Sequence, residues 1–328
     1  MINGVAALSP ADVWAVGRTG NRDTSTPTVP VIVHWDGHAA RPYAAFAPTA
    51  AQAELSGIAA IGVDDIWAVG SERGDNASRL VVMHWNSRRW RVVPTPRLRG
   101  GAVGAAVAAI GPNDVWVVGA SSLRGPVALN WNGRRWKAYG LAAVVPDKAP
   151  LIAIDGTSPG DVWAVGTNAG LDFGGDSPVV VHWDGHRWTR APIPRYDAGT
   201  DAAAVDVAAA APHDVWMLAD NVDGSWHDAE GHYITRYDGR TSRVAATYFS
   251  LAGSFLEDIA AVSPTNLFLV GPDTADYGPV VSHSNGRASR LMRTPFDGLR
   301  GTMLSSISVL SPTDIWAAGD HLLARYSC

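Results

Sequence analysis

Residues 12–17 read Asp-Val-Trp-Ala-Val-Gly, and edited copies of that hexapeptide return at 65–70, 114–119, 161–166, 214–219, 266–271 and 314–319. Their central aromatics, Trp14, Trp67, Trp116, Trp163, Trp216, Phe268 and Trp316, are separated by 53, 49, 47, 53, 52 and 48 residues. Self-similarity at such a period marks a repeat architecture, in which each unit is too small to bury its apolar surface alone and must stack on its neighbours. The 328 residues are therefore expected to close into one unit rather than divide by length into two.

The second repeat shows what the unit is. Residues 55–61 are small and β-branched, residues 62–65 (Gly-Val-Asp-Asp) make a tight turn, and residues 66–71 form a second strand. The same turn reads Ser-Pro-Ala-Asp at 9–12, Gly-Pro-Asn-Asp at 111–114, Ser-Pro-Gly-Asp at 158–161 and Ser-Pro-Thr-Asp at 311–314, with proline presetting φ. Its aspartate is expected to be structural and to bond nearby backbone amides. A hairpin follows over 80–85 and 90–93, with a polar turn that becomes Asp-Gly at 36–37, 184–185 and 238–239. Four short strands bounded by turn signals make one propeller blade.

The expected fold is all-β: a seven-bladed β-propeller of four-stranded antiparallel blades, a single domain over 1–328. The blades fall at about 1–48, 54–97, 103–145, 150–195, 202–249, 255–296 and 302–328. Neighbours cover both faces of a blade, so its strands are apolar on both parities, and the 14 tryptophans are expected to fill the seams between blades. In the last repeat Arg325-Tyr326-Ser327-Cys328 aligns with His-Trp-Asp-Gly, so blade seven is expected to lack its outer strand and to leave its third as an edge. Met1 coincides with the first strand of blade one, as it would in a chain shortened at its start.

The period, the second strand ending in glycine, and the aromatics of the third and fourth strands resemble Kelch-type and galactose-oxidase-type propellers. The pattern is closer still to a bacterial repeat family of the form Asp-Val-Trp-Ala-Val-Gly, His-Trp-Asp-Gly, Trp. That resemblance covers the whole chain and implies a propeller fold; it carries almost no chemistry. The paired glycines of true Kelch repeats are missing. Trp35-Asp36 and Trp183-Asp184 are not WD repeats, because the period is too long and the Gly-His partner is absent.

With 26 basic and 31 acidic residues, net charge −5 and no polybasic run, a nucleic-acid partner is excluded. The single cysteine, Cys328, allows no internal disulfide. No apolar run reaches membrane-spanning length and no leader is present, so an exported and a cytoplasmic setting both stay open. A monomer is expected. Nucleophile-elbow, phosphate-loop, Cys-x-x-Cys and His-Glu-x-x-His motifs are all absent.

In a repeat protein, what returns in every blade holds the ring, and what breaks the pattern is a candidate for use. His34, His84, His182 and His283 share one position in the third strand and are expected to be structural. The connections at 18–30, 167–178 and 220–232 are long and irregular, which makes the rim they share the expected working face. The last of them carries Asp220, Trp226, His227, Glu230 and His232. That density could ligate Ca2+ or shuttle protons, although no ligand spacing is fixed and no metal residues are assigned.

In the innermost strand, the position of Gly4 becomes Asp206 in blade five and Asp258 in blade six, and that of Ala6 becomes Asp155 in blade four. Glu257 adds a further carboxylate. Such acids are either satisfied by backbone and water or poised for proton transfer. Asp206, Asp258, Asp155, His227 and His321 are thus the candidate catalytic groups. Arginines of blades one to three (Arg18, Arg22, Arg73, Arg97, Arg99, Arg124) face aspartates of blades four to seven (Asp172, Asp176, Asp220, Asp273, Asp320), a polarised mouth suited to a dipolar ligand. With the loop aromatics Phe173, Trp226 and Tyr277, this makes Arg18, Arg73, Asp220, Trp226, Asp273, Tyr277 and Asp320 the candidate ligand-binding residues. Two functions stay open: a binding module for a small molecule, glycan or protein at the top face, or a lyase, hydrolase or cyclase using the channel carboxylates and a histidine as general acid and base.

Overall fold

The computed structural model describes residues 1–20, 26–74, 78–123, 125–145, 148–168, 177–194, 196, 201–222, 232–248, 256–273, 278–292, 299 and 301–327. Its strands form antiparallel sheets built from consecutive stretches of chain, six of four strands and a last one of three. Blade two, for example, runs Gln52–Gly62, Asp65–Arg73, Ser78–Trp85, Trp90–Val92; these are strands A to D, from the axis outward. Blade seven runs Ser306–Ser311, Asp314–Gly319, Leu322–Ser327, and the last of these is paired on one side only among the described residues. Among the described residues no helix is long and apolar enough to cross a membrane. Because consecutive strands are antiparallel, every B–C and D–A connection leaves from one rim, here the top, and every A–B and C–D turn from the other.

The repeated hexapeptide is a hydrogen-bonded node. In blade one, Asp12 Oδ1 accepts from the indole N–H of Trp14 at 3.0 Å and from His34 Nε2 at 2.8 Å. Asp65 does the same for Trp67 and His84, both at 2.8 Å, and Asp161 for Trp163 at 2.8 Å and His182 at 3.0 Å. The imidazole also stacks on the indole, with centroids 4.1, 4.3 and 4.1 Å apart in blades one, two and four. One carboxylate oxygen thus meets the polar atom of a buried tryptophan and fixes the ring lying on its face. Blades five and seven use arginine instead: Arg236 forks Asp214 at 2.7 and 2.7 Å, and Arg325 forks Asp314 at 2.8 and 2.9 Å. In blade six Phe268 has no N–H to satisfy, and Asn266 suffices to accept from His283 at 2.7 Å.

This corrects the expectation that the turn aspartates serve backbone amides. Serine takes that role at the start of the A–B turn, where Ser9 and Ser311 accept from the amides of Ala11 and Thr313. In the C–D turns, Asp36 and Asp184 each accept two amides, from the second and third residues that follow.

The nodes also build the seams. Trp14 meets Trp85 and Trp90 of blade two at 4.9 and 5.6 Å, and Trp116 meets Trp183 and Trp188 of blade four at 5.2 and 5.2 Å. The first of each pair ends strand C of the next blade and the second begins its strand D. Blade seven has no strand D, so its neighbour presents the smaller Phe268, packed with Met292 and Tyr326. At closure Trp316 meets Trp35 at 6.2 Å. Burying one such ring contributes about 4–6 kcal/mol, against about 1 kcal/mol for its hydrogen bond. Packing therefore holds the ring together, while the node sets ring orientation.

Asp65→Ala strands two donors and is expected to cost roughly 3 kcal/mol in urea unfolding. Asp114→Ala, which strands only the Asn130 amide, is expected to cost about 1 kcal/mol.

Candidate functional site

The site begins with a register shift. In blade one Ile2 pairs with Gly17 and Gly4 with Val16, so Asn3 is an extra residue on strand A. The same insertion falls at Ser56, Ala105, Ile152 and Val205. In blades six and seven Glu257 N and Ser305 N donate to the carbonyls of Val270 and Ala318, the partners of the residues that follow them. Such a bulge increases the local twist and carries the start of strand A across strand B. This accounts for the glycine that closes the hexapeptide: a Cβ on Gly70 would lie 2.0 Å from the carbonyl oxygen of Glu54, and one on Gly166 1.9 Å from that of Pro150.

The bulge turns two adjacent positions of each strand A toward the axis, and together they line a channel of about 590 Å³. Side chains there reach to the next blade in a fixed sense. At the bulge, Asn3 Nδ2 donates to the carbonyl of Leu55 at 2.7 Å, Ser56 Oγ to that of Gly104 at 2.8 Å and Ser305 Oγ to that of Ile2 at 2.8 Å. One residue later, Asp206 accepts from the amide of Ile259 at 3.0 Å, Asp258 from Ile307 at 2.8 Å and Ser306 from Val5 at 3.2 Å. Two residues further, Asp155 accepts from Ala209 at 2.8 Å and Ser308 from Ala7 at 3.0 Å. Blades one to three carry Gly4, Gly57, Ala6, Ala59, Ala106 and Ala108 at the last two positions, so one wall is small and aliphatic and the other acidic and hydroxylic.

Asp155, Asp206 and Asp258 are half-buried and Glu257 is exposed: water reaches them along the channel, but the walls solvate the charge of the inner three poorly. Asp206 stands well above the ordinary carboxylate range, first through burial and then through the nearby charge of Asp258. Burial also pushes Asp155 up to about 6, with the amides of Ala209 and Gly156 opposing and the charges of Asp258 and Asp161 adding to the rise. Glu257, at the top of the wall, is raised by burial and then by Asp220 and Asp258, with His232 opposing.

Behind Glu257, Asp220 accepts from His232 Nδ1 at 2.6 Å, and the amide of Leu256 donates to His232 Nε2 at 3.2 Å. Held at both ring nitrogens, this buried imidazole is fixed in orientation behind the acidic wall.

The structure therefore brings Asp155, Asp206 and Asp258 into one cavity and sets Asp220 behind it. Other expected residues stand elsewhere. Arg18 is buried and ion-paired to Glu54 of blade two at 3.2 Å, and Arg73 reaches the same carboxylate at 3.9 Å, so the positive half of the mouth is answered within the seam. Asp320 accepts from the amide of Met303 at 2.8 Å, and His321 is exposed in the last B–C turn. Asp273 ends strand B of blade six. Arg22, Arg124, Asp172, Phe173, Asp176, Trp226, His227, Glu230 and Tyr277 lie outside the described residues. Among the described residues no three His, Cys, Asp or Glu side chains are grouped to hold a metal. Asn3, Ser56 and Ser305 are the lining residues that strand alternation misses, because the bulge breaks the alternation just where they stand.

No protein-family model matches the chain, and no curated protein matches it. Solved structures do. YCF48 bound to D1 peptide is 14% identical over 100% of this chain and 93% of its own, with a TM-score of 0.63. An ulvan lyase of a new polysaccharide lyase family, bound to -[GlcA(1-4)Rha3S]-, is 9% identical over 97% of this chain and 90% of its own, at 0.62. Aleuria aurantia lectin in complex with α-methyl-L-fucoside is 14% identical over 81% and 88%, at 0.51. At these identities the likeness is one of fold, a propeller, and it extends both to propellers that bind and to one that cleaves.

A carboxyl whose folded pKa is raised stabilises fully below its unfolded value of about 3.9, and that contribution is lost as pH rises through the folded value. Asp206→Asn keeps an oxygen for the amide of Ile259 without the titration. The melting temperature of the wild type is expected to fall behind that of Asp206→Asn as pH is raised above the unfolded carboxyl value of about 3.9, and to match it at the acid end.

Proposed function

We propose that this chain is a binding propeller whose channel mouth takes a small hydroxyl-rich ligand of the glycan class. The observation that carries the reading is the one-sidedness of the channel. Seven copies of one strand would make a uniform wall, yet Asp155, Asp206, Glu257, Asp258, Ser306 and Ser308 gather on one side of a 590 Å³ cavity. Carboxyls that hold protons beside carboxylates offer both donors and acceptors, which is what sugar hydroxyls require, and the glycine and alanine wall opposite leaves room for a ring. Two of the similar structures hold sugars, which supports this class over a peptide.

One observation favours a second reading. Asp206 lines the channel beside Asp258, whose charge adds to the burial that raises it, and a carboxyl of raised proton affinity next to a second carboxyl is suited to general acid-base catalysis on the same ligand. In that case Asp206 is the donor and Asp258 the acceptor, and the chain is a lyase, hydrolase or cyclase.

A glycan array of neutral, uronic and sulfated oligosaccharides separates the outcomes. Wild type is expected to bind a restricted set, with Glu257→Gln and Asp258→Asn each weakening binding at least tenfold (about 1.4 kcal/mol) while melting stays cooperative. Val63→Ser, in an exposed turn at the opposite rim, is expected to leave binding unchanged. Breakdown of the bound glycan by wild type but not by Asp258→Asn moves the assignment to catalysis; absence of binding across the array overturns both readings.

A further inference from the structure

Blade three departs from the node that the other blades share, and on the rim opposite the channel mouth. Its strand-C residue is Asn130, where blades one, two and four have histidine and blades five and seven arginine. Asn130 Nδ2 reaches Asp114 Oδ1 at 2.6 Å, but the shorter side chain leaves the rest of the node open. Asp114 Oδ2 and the indole N–H of Trp116 are both buried without a partner of good hydrogen-bond geometry; the indoles of Trp216 and Trp316 share that feature, so the carboxylate oxygen is what sets blade three apart. Where a ring would lie there is instead a groove of about 500 Å³ between blades three and four, bordered by Asn113, Asp114, Trp116, Asn130, Tyr139 and Trp183. Burial holds the Asp114 carboxyl above its ordinary range despite the bond from Asn130, as expected of a carboxylate lacking its counter-charge. Lys137, opposite Asn130 on strand D, lies over the Tyr139 ring at 4.5 Å, and among the described residues no ion pair reaches Asp114.

The same chain shows twice what such a site accepts. Arg236 places its guanidinium on both oxygens of Asp214 with its carbon 5.2 Å from the Trp216 ring, and Arg325 does so on Asp314 with its carbon 6.0 Å from Trp316. A guanidinium is planar, donates in a fork matched to a carboxylate and stacks on indole, so it answers charge, hydrogen bond and ring face together. We propose that the groove between blades three and four binds a guanidinium group from outside the chain, its N–H edge on Asp114 Oδ2 and its plane over Trp116, as an arginine of the protein itself sits in blades five and seven. The site is independent of the channel and of the reading given for it.

Calorimetric titration with N-acetyl-arginine amide and N-acetyl-lysine amide tests this, since the two probes share charge but not shape. The expected result is saturable binding of the arginine probe, at least tenfold tighter than the lysine probe. Asn130→His, which installs the side chain of blades one, two and four, is expected to abolish that binding and to raise the melting temperature, so loss of binding cannot be ascribed to misfolding. Equal binding of the two probes, no saturable binding, or binding unchanged in Asn130→His overturns the proposal. A short peptide with a central arginine that binds tenfold tighter than the single residue assigns the group to a polypeptide partner; equal affinity assigns it to a free small molecule.

Discussion

Everything in this ring depends on burying an indole between two sheets while keeping it in one orientation. Six of the seven blades place a tryptophan at the seam, at 4% exposure or less. Its area supplies the free energy and its single polar atom supplies the constraint. The aspartate two residues earlier in the hexapeptide is where that constraint is met, and in blades one, two and four it is shared with a histidine from the next strand. Sequence spacing between aspartate and tryptophan is thus set by hydrogen-bond reach, and the strand-C histidine is set by the face of the ring it covers. Blades five to seven exchange the partners: arginine takes both oxygens of the aspartate in blades five and seven, leaving the indole N–H of Trp216 and Trp316 without a partner, and in blade six asparagine goes with phenylalanine. Blade three alone exchanges histidine for a shorter group and leaves an oxygen over.

A second constraint shapes the axis. Inner strands of a propeller have an unpaired edge, and here side chains of one blade bond to the backbone of the next, always in the same direction round the ring. In blades four to seven the acceptors are carboxylates and hydroxyls. The consequence is that the groups which brace the ring are the groups that face the channel. Bracing and chemistry are not alternatives in such a wall: Asp206 holds the Ile259 amide with one oxygen while the charge of Asp258 helps raise its proton affinity. An acid so held is positioned more rigidly than one on a loop, which suits either ligand recognition or proton transfer.

The two departures from symmetry lie at opposite rims and have opposite characters. At the channel the pattern is broken by adding polar groups to a wall made elsewhere of glycine and alanine. At the groove between blades three and four it is broken by putting a short asparagine where the other blades carry histidine or arginine. Each is visible because the remaining blades state what the regular arrangement is.

The amino-acid sequence by itself determined the ring: period, strand order, the three-stranded last blade and the seam aromatics all follow from local patterns repeated often enough to be read. It also placed Asp155, Asp206 and Asp258 on the inner strand, since alignment on Asp12 and its copies carries register from blade to blade. Tertiary structure alone decided which neighbours those acids meet, that Arg18 and Arg73 are already answered by Glu54, and that Asn3 and Ser56 reach the channel at all. The reason is physical. A repeat encodes contacts inside a blade through spacing along the chain, whereas a bulge adds one residue without changing composition and alters which way two side chains point. Hydrogen bonds across a seam join residues about 50 positions apart, as from Asp206 to Ile259 with a separation of 53, and no local pattern specifies them.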